Sequence, residues 1–299
     1  MGDRLLSDAG APRAFVPPEE RNIGIVFQSY ALWPHMSVAK NISYPLELRK
    51  VPAAESRKRL EEALALAGLS HLADRMPAEL SGGQRQRVAL ARCLVAEPQA
   101  VLLDEPLANL DLTLRASMQE AFAAFHRRTN ATMVYVTHDQ SEAMAMADRV
   151  AVMKDGRIRQ FAAPQALYTR PCDSFVAGFV GDGAVISIEA AGHLNGARQM
   201  VRALGCDIVV QSASARPSHL CIRPEQIAIT ADGPIRAQLR SCTYLGGRFR
   251  LTLDTPTETL IAYSAHAVAV GASVTLAIRD AWAFSDGPAA LALKEDAYA

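Results

Sequence analysis

The chain has no surplus of charge of either sign. Its 299 residues hold 31 Lys+Arg against 31 Asp+Glu, a formal net charge of +0. Such a balance excludes a broad electrostatic grip on nucleic acid or anionic lipid, though not a local patch. Cysteine is scarce: Cys93, Cys172, Cys206, Cys221 and Cys242 are scattered and form no Cys-x-x-Cys pair. That speaks against a disulfide framework or a zinc site and suits a reducing cytosol, each thiol being a small buried side chain. No apolar run approaches the roughly 20 residues that span a bilayer. The first residues, MGDRLLSDAGAPRAF, lack the long apolar core of a signal peptide. Low-complexity segments and internal repeats are absent as well. The expectation is a soluble, cytosolic chain that meets a membrane only through a partner.

What is present alternates. Asn22–Gln28 is a short apolar run of the buried-strand kind, and SVAKNISYPLEL after it has a helical look. Ala53–Leu69 has helical spacing, with Gly68 as its C-cap. Ser81 can cap a helix through QRQRVALARCLV, with Pro98 beyond its end. Ala100–Pro106 reads as a second buried strand, LTLRASMQEAFAAFHRRTN as a helix, ATMVYVTHD as a third strand and QSEAMAMAD as a helix. RVAVMKDGRIRQFA reads as a hairpin turning at Asp155-Gly156. Strands alternating with helices imply an α/β domain with a parallel sheet over residues 1–165. Residues 166–182 then read as a helical connection. From 183 to 299 short β-type runs with turn signals predict a small all-β barrel or sandwich.

Four features can carry chemistry, and each alone is weak. Asp104 and Glu105 close an apolar strand, where open α/β sheets place ligands. Asp104 there can hold Mg²⁺ through its water shell, and Glu105 can orient and polarise an attacking water. A solvated Asp-Glu turn would look the same. Ser81-Gly82-Gly83-Gln84 sets two glycines at a helix N-terminus, an anion site that suits a γ-phosphate, though a short glycine turn is more often only a turn. His138 ends a strand, where it could hydrogen-bond a γ-phosphate. Gln28 ends another, where its amide could reach metal or water.

Order and spacing turn these into one pattern. Gln28, Leu80–Gln84, Asp104-Glu105, Leu107–Asp111 and His138 together resemble an ABC transporter ATPase subunit. The resemblance implies an ATP- and Mg²⁺-dependent ATPase. Gln28 resembles the Q-loop glutamine, with Asp104 a metal ligand. Leu80-Ser81-Gly82-Gly83-Gln84 matches the signature without a departure. Asp104 and Glu105 resemble the Walker B aspartate and catalytic glutamate, Asn109-Leu110-Asp111 the D-loop, and His138 the switch histidine. Tyr30–Ile42 resembles the segment that meets the membrane subunit in importers. Cys221–Ile229 and Tyr244–Leu253 resemble the TOBE barrel of importer subunits of the maltose, polyamine, ferric iron and phosphonate type. The fold implied is an incomplete P-loop NTPase-type domain followed by a small OB-like TOBE domain. The partners implied are permease subunits, a second ATP-binding subunit and a periplasmic or extracellular solute-binding protein, with no nucleic acid. The location implied is the inner face of the cell membrane. FQSYALWPHMSV leans the cargo toward ferric iron, polyamine or phosphonate over sugar.

One family element has no counterpart: no Gly-rich loop ending Gly-Lys-Ser or Gly-Lys-Thr occurs in the 299 residues. That Walker A loop supplies backbone N–H donors, a Lys for the β- and γ-phosphates and a hydroxyl for Mg²⁺. Without it, Asp104 and Glu105 face a highly anionic nucleotide with little to neutralise it. The expectation is a homodimer with little ATPase activity and a chain with an exposed sheet edge, prone to aggregate. Three explanations stay open: a start placed at an internal Met, a truncated gene, or a chain that donates its signature to a complete partner. The alternative to an energy-coupling ATPase is a non-catalytic relic or regulatory partner.

Overall fold

The computed structural model describes residues 15–17, 20–108 and 112–286. By their contacts the residues divide into two units, Met1–Glu142 and Ala143–Ala299.

The first unit is built on three parallel strands, β1 (Ile23–Val26), β2 (Ala100–Asp104) and β3 (Thr132–Val136), with β2 in the middle. Parallel neighbours need crossovers, and helices supply them. Between β1 and β2 run α1 (Val38–Leu48), α2 (Ala53–Leu66) and α3 (Gly82–Leu94); between β2 and β3 runs α4 (Leu112–Thr129). After β3 comes α5 (Gln140–Met146). Val38, Ile42 and Leu46 of α1 bury themselves against Leu64, Leu69, Val88 and Val95. The C-cap of α2 falls one residue before the glycine expected to supply it. Ala67 is the C-cap, and Gly68 follows it with φ +63°. Gly68 N–H then donates to Ala65 O at 3.0 Å and Leu69 N–H to Leu64 O at 2.8 Å, which closes the helix as a Schellman motif.

The sheet departs from expectation in one respect. Its apolar runs read as strands buried on both sides, but only one face is covered. Val26, Val101 and Leu103 are fully buried beside α3 and α4. There Gly24 lies against Cys93, and the Phe122 ring meets Tyr135 edge-on at 6.2 Å. On the other face Ile25 pairs with Leu102 and Leu102 with Val134, one apolar row across all three strands. Those side chains, with Phe27 and Val136 beside them, are 37% to 55% exposed. Parallel sheets are ordinarily covered on both faces. No described residue covers this one.

The second unit begins with a hairpin, β4 (Val150–Lys154) and β5 (Arg157–Ala162), turning through Asp155 and Gly156, both at positive φ. Helices α6 (Pro164–Thr169) and α7 (Ser174–Phe179) share a small core with it through Val152, Leu167, Val176 and Val180. Two sheets follow. One has six strands: β6 (Ala184–Ser187), β7 (Ala190–Asn195), β8 (Arg198–Ala203), β9 (Cys206–Ser212), β10 (His219–Ile222) and β16 (Trp282–Phe284). The other has five: β11 (Ile227–Thr230), β12 (Ile235–Tyr244), β13 (Phe249–Asp254), β14 (Thr259–Ser264) and β15 (Ser273–Ile278). Inward residues alternate along them, as in Met200–Ala203 and Ile235–Leu239, and one core holds Val201, Leu220, Leu239, Leu251, Leu260 and Leu276. Arg223 is buried there and donates to the carbonyls of Tyr168, Ala177 and Val180, which ties it to the ends of α6 and α7.

Candidate functional site

The parallel register delivers the site. Glu105 follows the central strand, while Gln28 and His138 each lie two residues beyond the end of a flanking strand. Glu105 is therefore bracketed. Gln28 Nε2 donates to its Oε2 at 3.0 Å, and His138 Nδ1 lies 3.2 Å from its Oε1. Each carboxylate oxygen takes one neighbour. The backbone bends sharply to present it: Glu105 has φ +45°, a region that non-glycine residues rarely occupy. Its N–H donates to Val136 O at 2.9 Å, one rung past the ladder, and this fixes the bend. Asp104 stands exposed beside it at the end of β2. Of the expected residues, then, Gln28, Asp104, Glu105 and His138 gather at one end of the sheet.

Ser81–Gln84 forms a separate feature. Ser81 caps α3, its hydroxyl accepting the Gln84 N–H at 3.3 Å, while Gln84 Oε1 accepts the Ser81 N–H at 2.8 Å. That reciprocal capping box satisfies two free donors of the first turn. Open space surrounds the Cβ position at Gly82, so the helix end is approachable. Among the described residues no hydrogen bond or ion pair joins Ser81, Gly82, Gly83 or Gln84 to Gln28, Glu105 or His138. Asn109, Leu110 and Asp111 lie outside the described residues.

Two groups that the sequence reading passed over support the site. Asn41, fully buried, accepts the Trp33 N–H and donates to the carbonyls of Trp33, Met36 and Ser37. Arg92 of α3 stacks over Trp33 at 4.6 Å and donates to the carbonyls of Tyr30 and Ala31, both at positive φ. Together they hold the segment that follows Gln28. The second group is Asp139 and Glu142. Asp139 Oδ1 accepts N–H bonds from Ser141 at 2.8 Å and Glu142 at 3.3 Å, and so caps α5. The Ser141 hydrogen bond holds the Asp139 carboxyl below its ordinary value, against the opposing effect of burial. Its sequence signal was an Asp followed three residues later by Glu.

Comparison with known proteins identifies the family. Residues 8–108 match the ABC transporter family model, and residues 220–284 match the TOBE domain model. The Fe(3+) ions import ATP-binding protein FbpC of Rhizobium etli is 43% identical over 263 residues, covering 87% of this chain and 74% of that protein. The spermidine/putrescine import ATP-binding protein PotA of Thermobifida fusca is 44% identical, covering 82% of this chain and 66% of that protein. The trehalose/maltose import ATP-binding protein MalK of Thermococcus litoralis is 52% identical over 181 residues, covering 60% of this chain and 48% of that protein. On these matches the chain belongs to the importer-type ATP-binding subunits of ABC transporters that carry a TOBE domain.

Proposed function

We propose that this chain is the energy-coupling subunit of an import complex, in which Glu105 assists ATP hydrolysis. The observation that carries the reading is Glu105 with both oxygens engaged, by Gln28 on one side and His138 on the other. Glu105 is the base that orients the attacking water, and His138 senses the γ-phosphate. Ser81, Gly82, Gly83 and Gln84 offer a helix N-terminus to the nucleotide of a second ATP-binding subunit, with Asp111 contributing to that contact. Glu105 and His138 must exchange partners when nucleotide enters.

The donors suit a divalent cation held jointly with nucleotide. Asp104 is exposed, and Gln28 donates through Nε2, which leaves its Oε1 without a protein partner among the described residues. One carboxylate and one amide oxygen are hard donors of the kind Mg²⁺ takes together with waters and phosphate oxygens. No group of three or more His, Cys, Asp or Glu among the described residues makes a closed metal cage. Asp104 and Gln28 would hold Mg²⁺, which when bound would neutralise charge on the nucleotide's phosphates.

Residues 1–165 form the nucleotide-binding unit in this reading, 166–182 the connection and 183–299 the regulatory β domain. The partners are permease subunits, a second ATP-binding subunit and a solute-binding protein, with the chain peripheral on the cytoplasmic face of the membrane. No helix among the described residues is long and apolar enough to cross a membrane. The named relatives serve Fe(3+), spermidine/putrescine and trehalose/maltose import, three unrelated chemistries. We therefore place cargo recognition in the partner subunits.

The test is ATP turnover by the assembled complex with its permease and partner subunits. Glu105→Gln is expected to lower turnover by about 10²- to 10⁴-fold, the usual range for a general base. Equal turnover in that variant would overturn the reading.

A further inference from the structure

Behind His138 the chain builds a polar cage that hydrolysis itself does not use. The residues on either side of His138 are both fixed. Thr137 Oγ1 donates to Glu142 Oε2 at 2.8 Å and accepts the Asp139 N–H at 3.0 Å. Glu142 is 4% exposed, and its Oε2 also accepts the Tyr135 hydroxyl at 2.9 Å. Burial, with Glu142 beside it, pushes the Tyr135 phenol up, so it stays protonated and stays a donor. Asp139 uses Oδ1 for the start of α5 and leaves Oδ2 free to face α4.

Two carboxylates so close, one of them buried, need a counter-charge. Among the described residues the cation paired with them is Arg115, in the first turn of α4. Its Nη1 donates to Asp139 Oδ2 at 3.1 Å, and its Nε stands 3.7 Å from Glu142 Oε1. That Nε is buried and makes no hydrogen bond, so the guanidinium holds one carboxylate firmly and the other only by charge. His138 has no comparable support of its own. Its side chain is 76% exposed and touches Glu105.

We propose that Arg115 is the positioning residue for His138. By balancing Asp139 and Glu142 it holds the Thr137–Asp139 backbone in place, and so keeps His138 Nδ1 on Glu105. It also ties that backbone to the start of α4. The proposal rests on Glu105 and His138 acting as a pair, and is tested without nucleotide.

The experiment reads the tautomer of His138 in the folded chain by ring ¹⁵N–¹H correlation, at a pH where the imidazole is neutral. A ring that donates from Nδ1 to Glu105 carries its proton on Nδ1. Wild type is expected to show the Nδ1–H form, and Arg115→Met to lose it. Arg115→Lys keeps the charge without the planar fork and is expected to restore part of it. If Arg115→Met fails to fold, Arg115→Met with Glu142→Gln removes the buried charge, and the same loss is expected. A folded Arg115→Met or double variant that keeps the wild-type Nδ1–H signature overturns the proposal, whatever its melting temperature. A Glu105→Ala variant that keeps it removes the Glu105–His138 pair itself, and the proposal falls with its premise.

Discussion

His138 Nδ1 lies 3.2 Å from Glu105 Oε1, each residue just beyond the end of one of two adjacent parallel strands. The contact joins groups 33 positions apart in the chain, and little else holds the imidazole, which is 76% exposed. Stability and activity should therefore separate. His138→Ala is expected to leave the denaturation midpoint within about 0.5 kcal/mol of wild type, as surface substitutions do. ATP turnover of the assembled complex is expected to fall by about 10²-fold or more. A variant that loses stability and keeps turnover would make His138 a structural residue.

Gly24 of β1 lies directly against Cys93 of α3. A Cβ there would lie 2.4 Å from Cys93 Sγ and 3.2 Å from the Pro98 ring. Burial pushes the Cys93 thiol up to about 12, so it is a neutral, inert packing group. Gly24→Ala is expected to destabilise the first unit by about 1–3 kcal/mol through overpacking. Cys93→Ala in the same chain removes the obstructing sulfur and should recover most of that loss. Urea midpoints for both single variants and the double decide it, and a purely additive double would show that the clash lies elsewhere.

The open face of the first sheet is expected to make the chain sticky. Ile25, Leu102 and Val134 form an exposed apolar row. Contiguous exposed apolar surface draws in other molecules. Val134→Thr with Ile25→Thr keeps the β-branched shape while adding hydroxyls. The pair should lower binding of an apolar dye and slow light-scattering growth, with the midpoint shifted by less than about 1 kcal/mol. Unchanged dye binding would mean that the face is covered in solution.

Much of this site was legible because each piece punctuates an apolar run. Gln28, Asp104-Glu105 and His138 all close strands, and Ser81 stands where a helix must be capped. What the sequence could not show was register. Nothing in the order of residues says that both neighbours of Glu105 reach its two oxygens, because that depends on which strands pair and how far each extends. Burial was hidden for the same reason. Ile25 and Val26 read alike in NIGIVFQ, yet one is 43% exposed and the other 1%. Arg115, Asn41 and Arg92 read as ordinary polar residues of helices. The roles of Arg115 and Arg92 appear only when the tertiary fold gives each a partner far away in the chain, and that of Asn41 only when the loop before α1 folds back onto it.

Asp139 sets an acid limit on the segment that carries His138. Its carboxyl is held low chiefly by the Ser141 hydrogen bond, then by backbone N–H groups and Arg115. A depressed carboxylate contributes stability that is fully present above its unfolded value, about pH 4. That contribution is lost as the pH falls through the folded value. Below about pH 4 the first unit should therefore weaken more steeply in wild type than in Asp139→Asn, whose amide does not titrate. Midpoints measured from pH 7 down to about pH 3 check this, and parallel curves would show that Asp139 adds nothing to the acid transition.

Ser81 has two duties that one substitution can separate. Its hydroxyl caps α3 by accepting from Gln84 N–H, and the proposed function also turns it toward nucleotide. Asn is about as good an N-cap as Ser, whereas Ala lowers stability by about 1 kcal/mol. Ser81→Asn should therefore melt with wild type and Ser81→Ala below it. In the assembled complex the ranking of turnover carries the information. If the hydroxyl acts only as a cap, Ser81→Asn turns over like wild type and Ser81→Ala is the slower. If it also donates to a phosphate oxygen of the partner's nucleotide, Ser81→Asn loses turnover while keeping its melting point. We expect the second pattern, because the Cβ position at Gly82 is open and a ligand can come close to the helix end.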